Sequence, residues 1–175
     1  MVVALRKDDG RLLRFTTDKR RGEWVGHAPG ATAVAVSADG ARVFTGQLGK
    51  LDSWNLAAGT PGESYNVGDA HIADLATSRD GRWLAAATFE GEVLVWRVGE
   101  AKPTAHYRDH TERAVALAFS PDDAWLVSGS WDRTLRVREL DTLEADPEAQ
   151  RDAIIARYGL PVAEALGRTA AVRPQ

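Results

Sequence analysis

Residues 126–140, LVSGSWDRTLRVREL, contain side chains that could do chemistry. Ser128 and Asp132 follow His110, and serine, histidine and aspartate are the three residue types of a hydrolase triad. Such a triad needs a serine exposed on a strained turn, often in a G-x-S-x-G motif, and an oxyanion hole. The chain has no G-x-S-x-G motif. The alternatives to catalysis are recognition and architecture, and the choice depends on whether this segment is unique or repeated.

Two other kinds of chemistry have little support in the residue pattern. Residues 45–53, TGQLGKLDS, have the composition of a phosphate-binding loop, but Gly46 is too close to Gly49, and Leu51 stands where a magnesium-binding hydroxyl is needed. The chain has no cysteine, which excludes disulfides, thiolate metal sites and a cysteine nucleophile. We predict neither a metal nor a cofactor, because the four histidines are not spaced as metal ligands. They are His27, His71, His106 and His110.

The charge and hydropathy of the chain argue against two classes of partner. A net charge of −3 gives no basic surface for nucleic acid, and the basic run 18–23, DKRRGE, is typical of a solvated turn. No uninterrupted apolar run approaches the roughly 18 residues that span a bilayer. The N-terminal residues lack the apolar stretch of a signal peptide. We therefore expect a cytoplasmic protein that binds neither nucleic acid nor membranes.

The segment 126–140 is one copy of a repeat. Residues 84–98, LAAATFEGEVLVWRV, match it with an offset of 42 positions, which pairs Trp83 with Trp125. The stretches AVSADGARVFTG and GKLDSWNL lie one unit further back. Self-similarity with a period of about 40 to 45 residues is the signature of a β-propeller.

Each repeat predicts short strands joined by tight turns. In the last full repeat, residues 114–120 are almost entirely apolar, as in a strand buried on both faces. Residues 121–123, Pro-Asp-Asp, have turn chemistry, and further strands are predicted at 125–130 and 134–140. The alanine-rich first strands suit the crowded centre of a radial arrangement of sheets. Two earlier repeats add a fourth strand, near residues 63–67 and 104–108.

These repeats resemble the WD-repeat β-propeller family over about residues 2–140. The resemblance implies an all-β fold built from blades around an axis. Trp54 and Trp96 occupy the signature tryptophan position of the family, whereas Arg138 replaces it in the last repeat. Other residues that carry the resemblance precede the inner strands or close the hairpins: Gly26-His27, His71, Asp109-His110, SADG, SRDG, SPDD and the SGSWDRT turn.

The resemblance also implies a structural role for the serine, histidine and aspartate. In this family a histidine, a serine or threonine, an aspartate and a tryptophan form a hydrogen-bonded chain within a blade. Here that chain would join His110, Ser128 and Asp132, with the fourth member lost at Arg138. We therefore predict architecture rather than catalysis, and a protein that is not an enzyme. The equivalent residues are His71 and Trp96 for the preceding blade, and His27, Thr45 and Trp54 for the blade before it.

The strand count predicts an incomplete ring. Closed propellers contain 4 to 8 blades, and this chain supplies about four, of which the first and the last each lack a strand. A second copy, a different chain or the remainder of a longer protein could complete the ring, and the sequence leaves these routes open. The blades are expected at about residues 2–27, 31–68, 71–109 and 113–140.

The third strand of the last blade differs from its equivalent in the preceding blade. Arg136 and Arg138 stand where the preceding blade has Leu94 and Trp96. We therefore expect the last blade to be polar on its outer, uncovered side. Trp125 opens the second strand of this blade, and we expect it to lie in the core between blades.

Residues 141–175 lie beyond the repeats and are predicted to form a short helical tail. Asp146 is a suitable N-cap, Pro147 suits the first helical turn, and Gly159 is a natural stop. Such a helix would cover the exposed edge of the last blade or bind a partner.

The resemblance points to one face of the disc as a binding surface. The residue before each turn aspartate projects there in this family, and the equivalents are Trp131, Phe89 and Leu48. Arg113 and Glu112 precede the last inner strand and would neighbour Trp131. We predict that these five residues bind a protein partner and that the chain is a non-catalytic scaffold for protein–protein interaction. The alternative is a structural or regulatory subunit, or a fragment, of a larger enzyme or multisubunit assembly.

Overall fold

A computed structural model describes residues 2–5, 10–15 and 23–140 of the chain. The described residues form four antiparallel sheets, and within each sheet the strands lie side by side in chain order. The prediction of an all-β partial propeller is confirmed. The tail predicted at 141–175 lies outside the described residues.

The first and last blades have three strands each in the described part of the chain, and the two middle blades have four. The first blade contains β1 (Val2–Leu5), β2 (Arg11–Phe15) and β3 (Glu23–His27). The second contains β4 (Ala33–Val36), β5 (Arg42–Gln47), β6 (Lys50–Asn55) and β7 (Thr60–Tyr65). The third contains β8 (Ile72–Thr77), β9 (Trp83–Thr88), β10 (Val93–Arg97) and β11 (Ala105–Tyr107). The fourth contains β12 (Ala114–Phe119), β13 (Trp125–Ser130) and β14 (Leu135–Glu139).

A serine–aspartate turn joins the first two strands in each of the last three blades. The serine hydroxyl donates to the carboxylate two residues later, in the pairs Ser37–Asp39, Ser78–Asp80 and Ser120–Asp122. The next residue has a left-handed backbone, which favours glycine, and it is Gly40, Gly81 and Asp123 in turn. Asp123 differs because its carboxylate accepts the backbone N–H groups of Arg79 and Asp80, both at 2.8 Å, and so links the fourth blade to the third.

Apolar clusters between successive blades form the core. We call the side of a blade that faces the next blade in chain order its forward face, and the other side its backward face. Between the first and second blades, Leu12, Val43 and Leu56 are buried together. A larger cluster joins the forward face of the second blade to the backward face of the third, and it includes Phe44, Leu51, Tyr65, Ile72, Leu75, Leu84, Leu94 and Trp96.

The fourth blade covers the forward face of the third. Because side chains alternate along a strand, the neighbours of Leu84, Leu94 and Trp96 point to this opposite side. They are Trp83, Ala85, Val93 and Val95, and each is at most 1% exposed. β12 contacts β8 and β9, and the Leu117 N–H donates to Asp74 Oδ2 at 2.8 Å across the interface.

The predicted polarity of the last blade is wrong. Arg138 is buried on the backward face, where its guanidinium carbon lies 4.3 Å from the centre of the Tyr107 ring of the third blade. Arg136 donates to the carbonyl of Asp109 on the same side. The apolar residues of β14 occupy the forward face instead. The tryptophan expected in the core between blades, Trp125, is 36% exposed there because no described blade follows the fourth.

Candidate functional site

The hairpin turns after the second strand of each blade carry the predicted partner-binding side chains. Leu48, Phe89 and Trp131 follow β5, β9 and β13 directly, so they take the same position in three successive blades. Leu48 and Trp131 are exposed, and Phe89 is half-buried. The N–H of Phe89 donates to the His71 carbonyl at 2.9 Å, and that of Trp131 to the Arg113 carbonyl at 3.0 Å. The turns of Phe89 and Trp131 are thus each held to the residue that precedes the inner strand of its own blade.

Two of these side chains, Phe89 and Trp131, form a continuous stack with His71 and Arg113 across the third and fourth blades. The His71 and Phe89 rings have centroids 4.4 Å apart. The guanidinium carbon of Arg113 lies 4.7 Å from the Phe89 centroid and 5.1 Å from the Trp131 centroid. A flat guanidinium between two aromatic faces gains cation–π attraction from both. We call His71, Phe89, Arg113 and Trp131 the stacked row.

The stacked row reaches the second blade through Leu48, which forms a β-bridge with His71. Sequence reasoning missed the position of His71, because it was assigned to a hydrogen-bond network. The signal was available in the repeat: His71 and Arg113 both stand just before an inner strand, so both side chains are placed beside the hairpin turns.

Glu112 lies next to Arg113 in the chain, and its backbone carbonyl contacts the two neighbouring hairpin turns. Its carbonyl accepts the hydroxyl of Ser130 at 3.1 Å, and its side chain is exposed. A Cβ at Gly91 would lie 2.7 Å from this carbonyl and 2.8 Å from that of His110, and Gly91 also has a positive φ of 82°. Only glycine allows the turn after β9 to approach the fourth blade so closely.

The serine, histidine and aspartate of the last blade form a buried structural network. His110 Nε2 lies 2.9 Å from Ser128 Oγ, and His110 Nδ1 lies 3.0 Å from Asp132 Oδ2. Arg138 Nη1 donates to Ser128 Oγ at 2.8 Å, so the expectation that the fourth member is lost was wrong. Since Arg138 has no acceptor, the Ser128 hydroxyl donates to Nε2, and Nδ1–H donates to Asp132.

The electrostatics of Asp132 also fit a structural role. A hydrogen bond from the Thr134 hydroxyl, supported by its backbone N–H and by His110, holds the pKa of Asp132 well below its usual range. Asp132 therefore remains a carboxylate that fixes the turn and the imidazole. Ser128 is fully buried, so it does not present a nucleophile to a substrate.

The other two predicted networks differ from each other. In the second blade, Trp54 Nε1–H donates to Thr45 Oγ1 at 3.1 Å, and His27 lines the same small cavity. In the third blade the predicted pairing of His71 with Trp96 is wrong. Trp96 Nε1 is buried and has no hydrogen-bond partner among the described residues. The reason is Ala86, which stands where the fourth blade has Ser128 and supplies no hydroxyl.

The remaining described surface contains a cleft of mixed charge and no cluster of potential metal ligands. The described residues contain no group of three or more potential metal ligands. A cleft of about 520 Å³ at the opposite ends of the second and third blades has side chains of both charges, including Asp39, Arg42, Asp80 and Arg97. No helix in the described ranges is long and apolar enough to cross a membrane.

Comparisons with known proteins show what the last blades are similar to. The profile of the family described as "WD domain, G-beta repeat" matches residues 62–97 and 101–138. The chain is 34% identical over 80 residues to Protein ROOT INITIATION DEFECTIVE 3 of Arabidopsis thaliana, which covers 46% of this chain and 18% of that protein. It is 43% identical over 70 residues to an uncharacterized WD repeat-containing protein of Synechocystis, covering 39% of this chain and 20% of that protein.

A solved structure has the same fold. The WD40 repeats of RRP9 superpose with a TM-score of 0.61 and 23% sequence identity over 66% of this chain and 37% of that one. The chain contains WD40 repeats and forms a partial segment of a β-propeller. It spans about a fifth of the length of the two curated relatives named above.

Proposed function

We propose that this WD40 segment is a non-catalytic scaffold that binds a protein partner through the stacked row and Leu48. The observation that carries the proposal is the position of Arg113 between Phe89 and Trp131. WD40 domains are generally protein-interaction scaffolds, and their members are typically non-catalytic. The buried state of Ser128 supports the same conclusion.

The stacked row has the composition and rigidity of a binding hot spot. Tryptophan and arginine are among the residues that contribute most to protein interfaces. Trp131 is largely exposed, yet its ring is held by Arg113, and Arg113 is held in turn by Phe89. A flexible side chain that becomes ordered on binding loses conformational entropy, at a cost of about 0.5–1.5 kcal/mol. Side chains that are already ordered avoid this cost. The partner meets a surface that needs no rearrangement.

The matched test compares the two exposed tryptophans of the fourth blade. We expect Trp131→Ala to weaken the capture of a partner by about 30-fold or more, because it removes the end of the stacked row. Arg113→Ala should have an effect of similar direction, since it frees both rings. Trp125→Ala, on a different surface of the same blade, should leave capture unchanged.

The measurement is quantitative mass spectrometry of proteins retained by the immobilised chain and by each variant. Proteins retained by the wild type and by Trp125→Ala, but lost from Trp131→Ala and Arg113→Ala, support the proposal. If every retained protein binds Trp131→Ala as strongly as the wild type, while circular dichroism shows the same fold, the stacked row is not the binding surface.

We also infer that the series of blades is continued outside the described residues, either by dimerisation, by another chain or within a larger protein. Two observations support this inference. The chain spans only part of the length of its relatives. The forward face of the last blade is apolar and exposed, although its equivalent in the third blade is a buried interface. The alternative function, a structural or regulatory subunit of a larger assembly, rests on the same two observations.

A further inference from the structure

The forward face of the fourth blade repeats the forward face of the third. The third-strand residues Leu135 and Val137 correspond to Val93 and Val95 with an offset of 42 positions, and Trp125 corresponds to Trp83. The pairing of β13 with β14 also matches that of β9 with β10. The two faces thus have the same backbone frame and the same apolar character.

The two faces differ in what covers them. Val93 and Val95 are fully buried beneath the fourth blade, whereas Leu135 is 73% exposed and Val137 is 60% exposed. The exposed residues are adjacent in space, because directly paired residues on neighbouring strands lie on the same face. Val127 pairs with Val137 on one side and with Ala118 on the other. A continuous apolar strip therefore crosses all three strands of the blade.

The strip has very little charge. Among the described residues of these strands, Glu139, at the end of β14, is the one charged side chain on the forward face, and both arginines of β14 lie on the backward face. Contact surfaces between copies of one protein are more apolar than other interfaces and are depleted in charge at their centre. An exposed apolar patch of this kind marks an interaction surface.

We propose that a second copy of this chain covers the strip, with the first blade of that copy, β1–β3, seated on the forward face of the fourth. This deepens the inference that the blade series is continued, and it does not depend on the stacked row. The second and third blades have a neighbouring blade on both sides. The sides left to a second copy by the described blades are therefore the backward side of the first blade and the forward face of the fourth.

Head-to-tail contacts between two copies cover both of these sides at once. Two sets of four blades give a ring of eight, which lies within the range of 4 to 8 at which propellers close. Twofold symmetry is the commonest arrangement of identical chains. A face-to-face pair of fourth blades would leave both first blades uncovered.

The test is the mass of the intact chain in solution. The chain has a mass of 19.0 kDa, and we expect twice this value by sedimentation or light scattering. Leu135→Glu places a charge in the proposed contact and should weaken the dimer by about 100-fold or more. The matched control is Ala57→Glu, which introduces the same charge at an exposed position of the turn between β6 and β7 and should leave the dimer intact.

Both substitutions lie at exposed positions of the single chain, so circular dichroism should show an unchanged fold. If Leu135→Glu does not fold, Val137→Lys makes the same test. A wild-type chain that keeps a mass of 19.0 kDa at all concentrations overturns the proposal. A dimer that survives both Leu135→Glu and Val137→Lys overturns it as well.

A single introduced cysteine separates the ring from a face-to-face pair, because the chain has no cysteine of its own. In the ring, the two copies of Val137→Cys lie in different contacts, and oxidation should give no cross-linked dimer. In a face-to-face pair the two thiols are close and cross-link readily, which would overturn the head-to-tail arrangement. None of these results changes the capture experiment, so failure here is distinct from failure of the stacked row.

Discussion

The first three strands of the third and fourth blades pair in the same way, but the two blades are stabilised by different interactions. All six residues of β9 are buried, whereas β13, its equivalent, begins with an exposed tryptophan. In the third blade, Trp96 lies in an apolar cluster and its Nε1 has no partner among the described residues. In the fourth blade, Arg138 takes this position and donates to Ser128. The same repeat position thus makes apolar contacts in the third blade and a hydrogen bond in the fourth.

The interactions that stabilise each blade depend on whether a neighbouring blade covers one of its faces or both. The third blade buries both faces, and this burial supplies enough stability to tolerate an unsatisfied indole N–H, which costs about 1–3 kcal/mol. The fourth blade buries one face in the single chain. We interpret its complete network of His110, Ser128, Asp132 and Arg138 as compensation for the face that a single chain leaves exposed.

The largest expected difference between the two blades is the loss of stability when their equivalent tryptophans, Trp83 and Trp125, are replaced by alanine. Trp83→Ala should destabilise the fold by about 3–5 kcal/mol, because it leaves a cavity in a fully buried interface. Trp125→Ala should cost less than about 1.5 kcal/mol in the single chain, since part of its ring already contacts water. Urea unfolding, at concentrations where the chain is monomeric, measures both. Equal losses at the two positions would show that the forward face of the fourth blade is covered within the chain.

An intermediate effect is expected when the polar character of the two blades is exchanged. Ser128→Ala removes the hydroxyl between His110 and Arg138 and should cost about 1–3 kcal/mol. Ala86→Ser supplies a hydroxyl near Trp96 Nε1 and should leave the stability unchanged or raise it by up to about 1 kcal/mol. Chemical denaturation of the two variants checks this contrast. A destabilisation by Ala86→Ser as large as that by Ser128→Ala would mean that the third blade cannot accommodate the polar chain.

The smallest expected effect is the contribution of Asp132, in the fourth blade, to the pH dependence of stability. The Thr134 hydroxyl is the first cause of the lowered pKa of Asp132. A carboxyl of this kind stabilises the fold above the pKa that it has in the unfolded chain, and the contribution is lost as the pH falls through the folded value. Between about pH 5 and 7 the contribution of Asp132 should be constant, and below about pH 4 it should decrease.

The matched variant for this pH dependence is Asp132→Asn, which should lose less stability than the wild type on acidification. The difference between the two proteins is the measured quantity, because serine hydroxyls also lower the pKa of Asp39 and Asp122. Unfolding free energies from pH 3 to 7 provide the curves, at roughly one-unit steps. Parallel curves for the two proteins would remove Asp132 from the acid response.

The repeat predicted most of the fold, because its period gives the positions of the strands and turns and the alternation of side chains between the two faces. It predicted the alternation of Leu135 and Arg136 correctly, but not which of the two faces is covered. That choice depends on the direction in which the blades follow one another, and on the long side chain of Arg138, which reaches back to Tyr107 and Ser128. Neither property is contained in a period of 42 residues.

The candidate site was partly predictable for the same reason. Leu48, Phe89 and Trp131 share one position in the repeat, so their common surface could be predicted. The stack could not, because it depends on Arg113 bridging the turns of two different blades. The missing hydrogen bond of Trp96 was visible in the sequence as Ala86, but its consequence required the geometry of the buried indole.

The central claim is that a further blade covers the forward face of the fourth blade. Its most direct test is a dilution series of the wild-type chain and of Leu135→Glu in the analytical ultracentrifuge. We expect the wild type to change from two chains to one on dilution, and the variant to sediment as one chain at concentrations where the wild type is paired. Identical sedimentation of the two proteins at every concentration would contradict it.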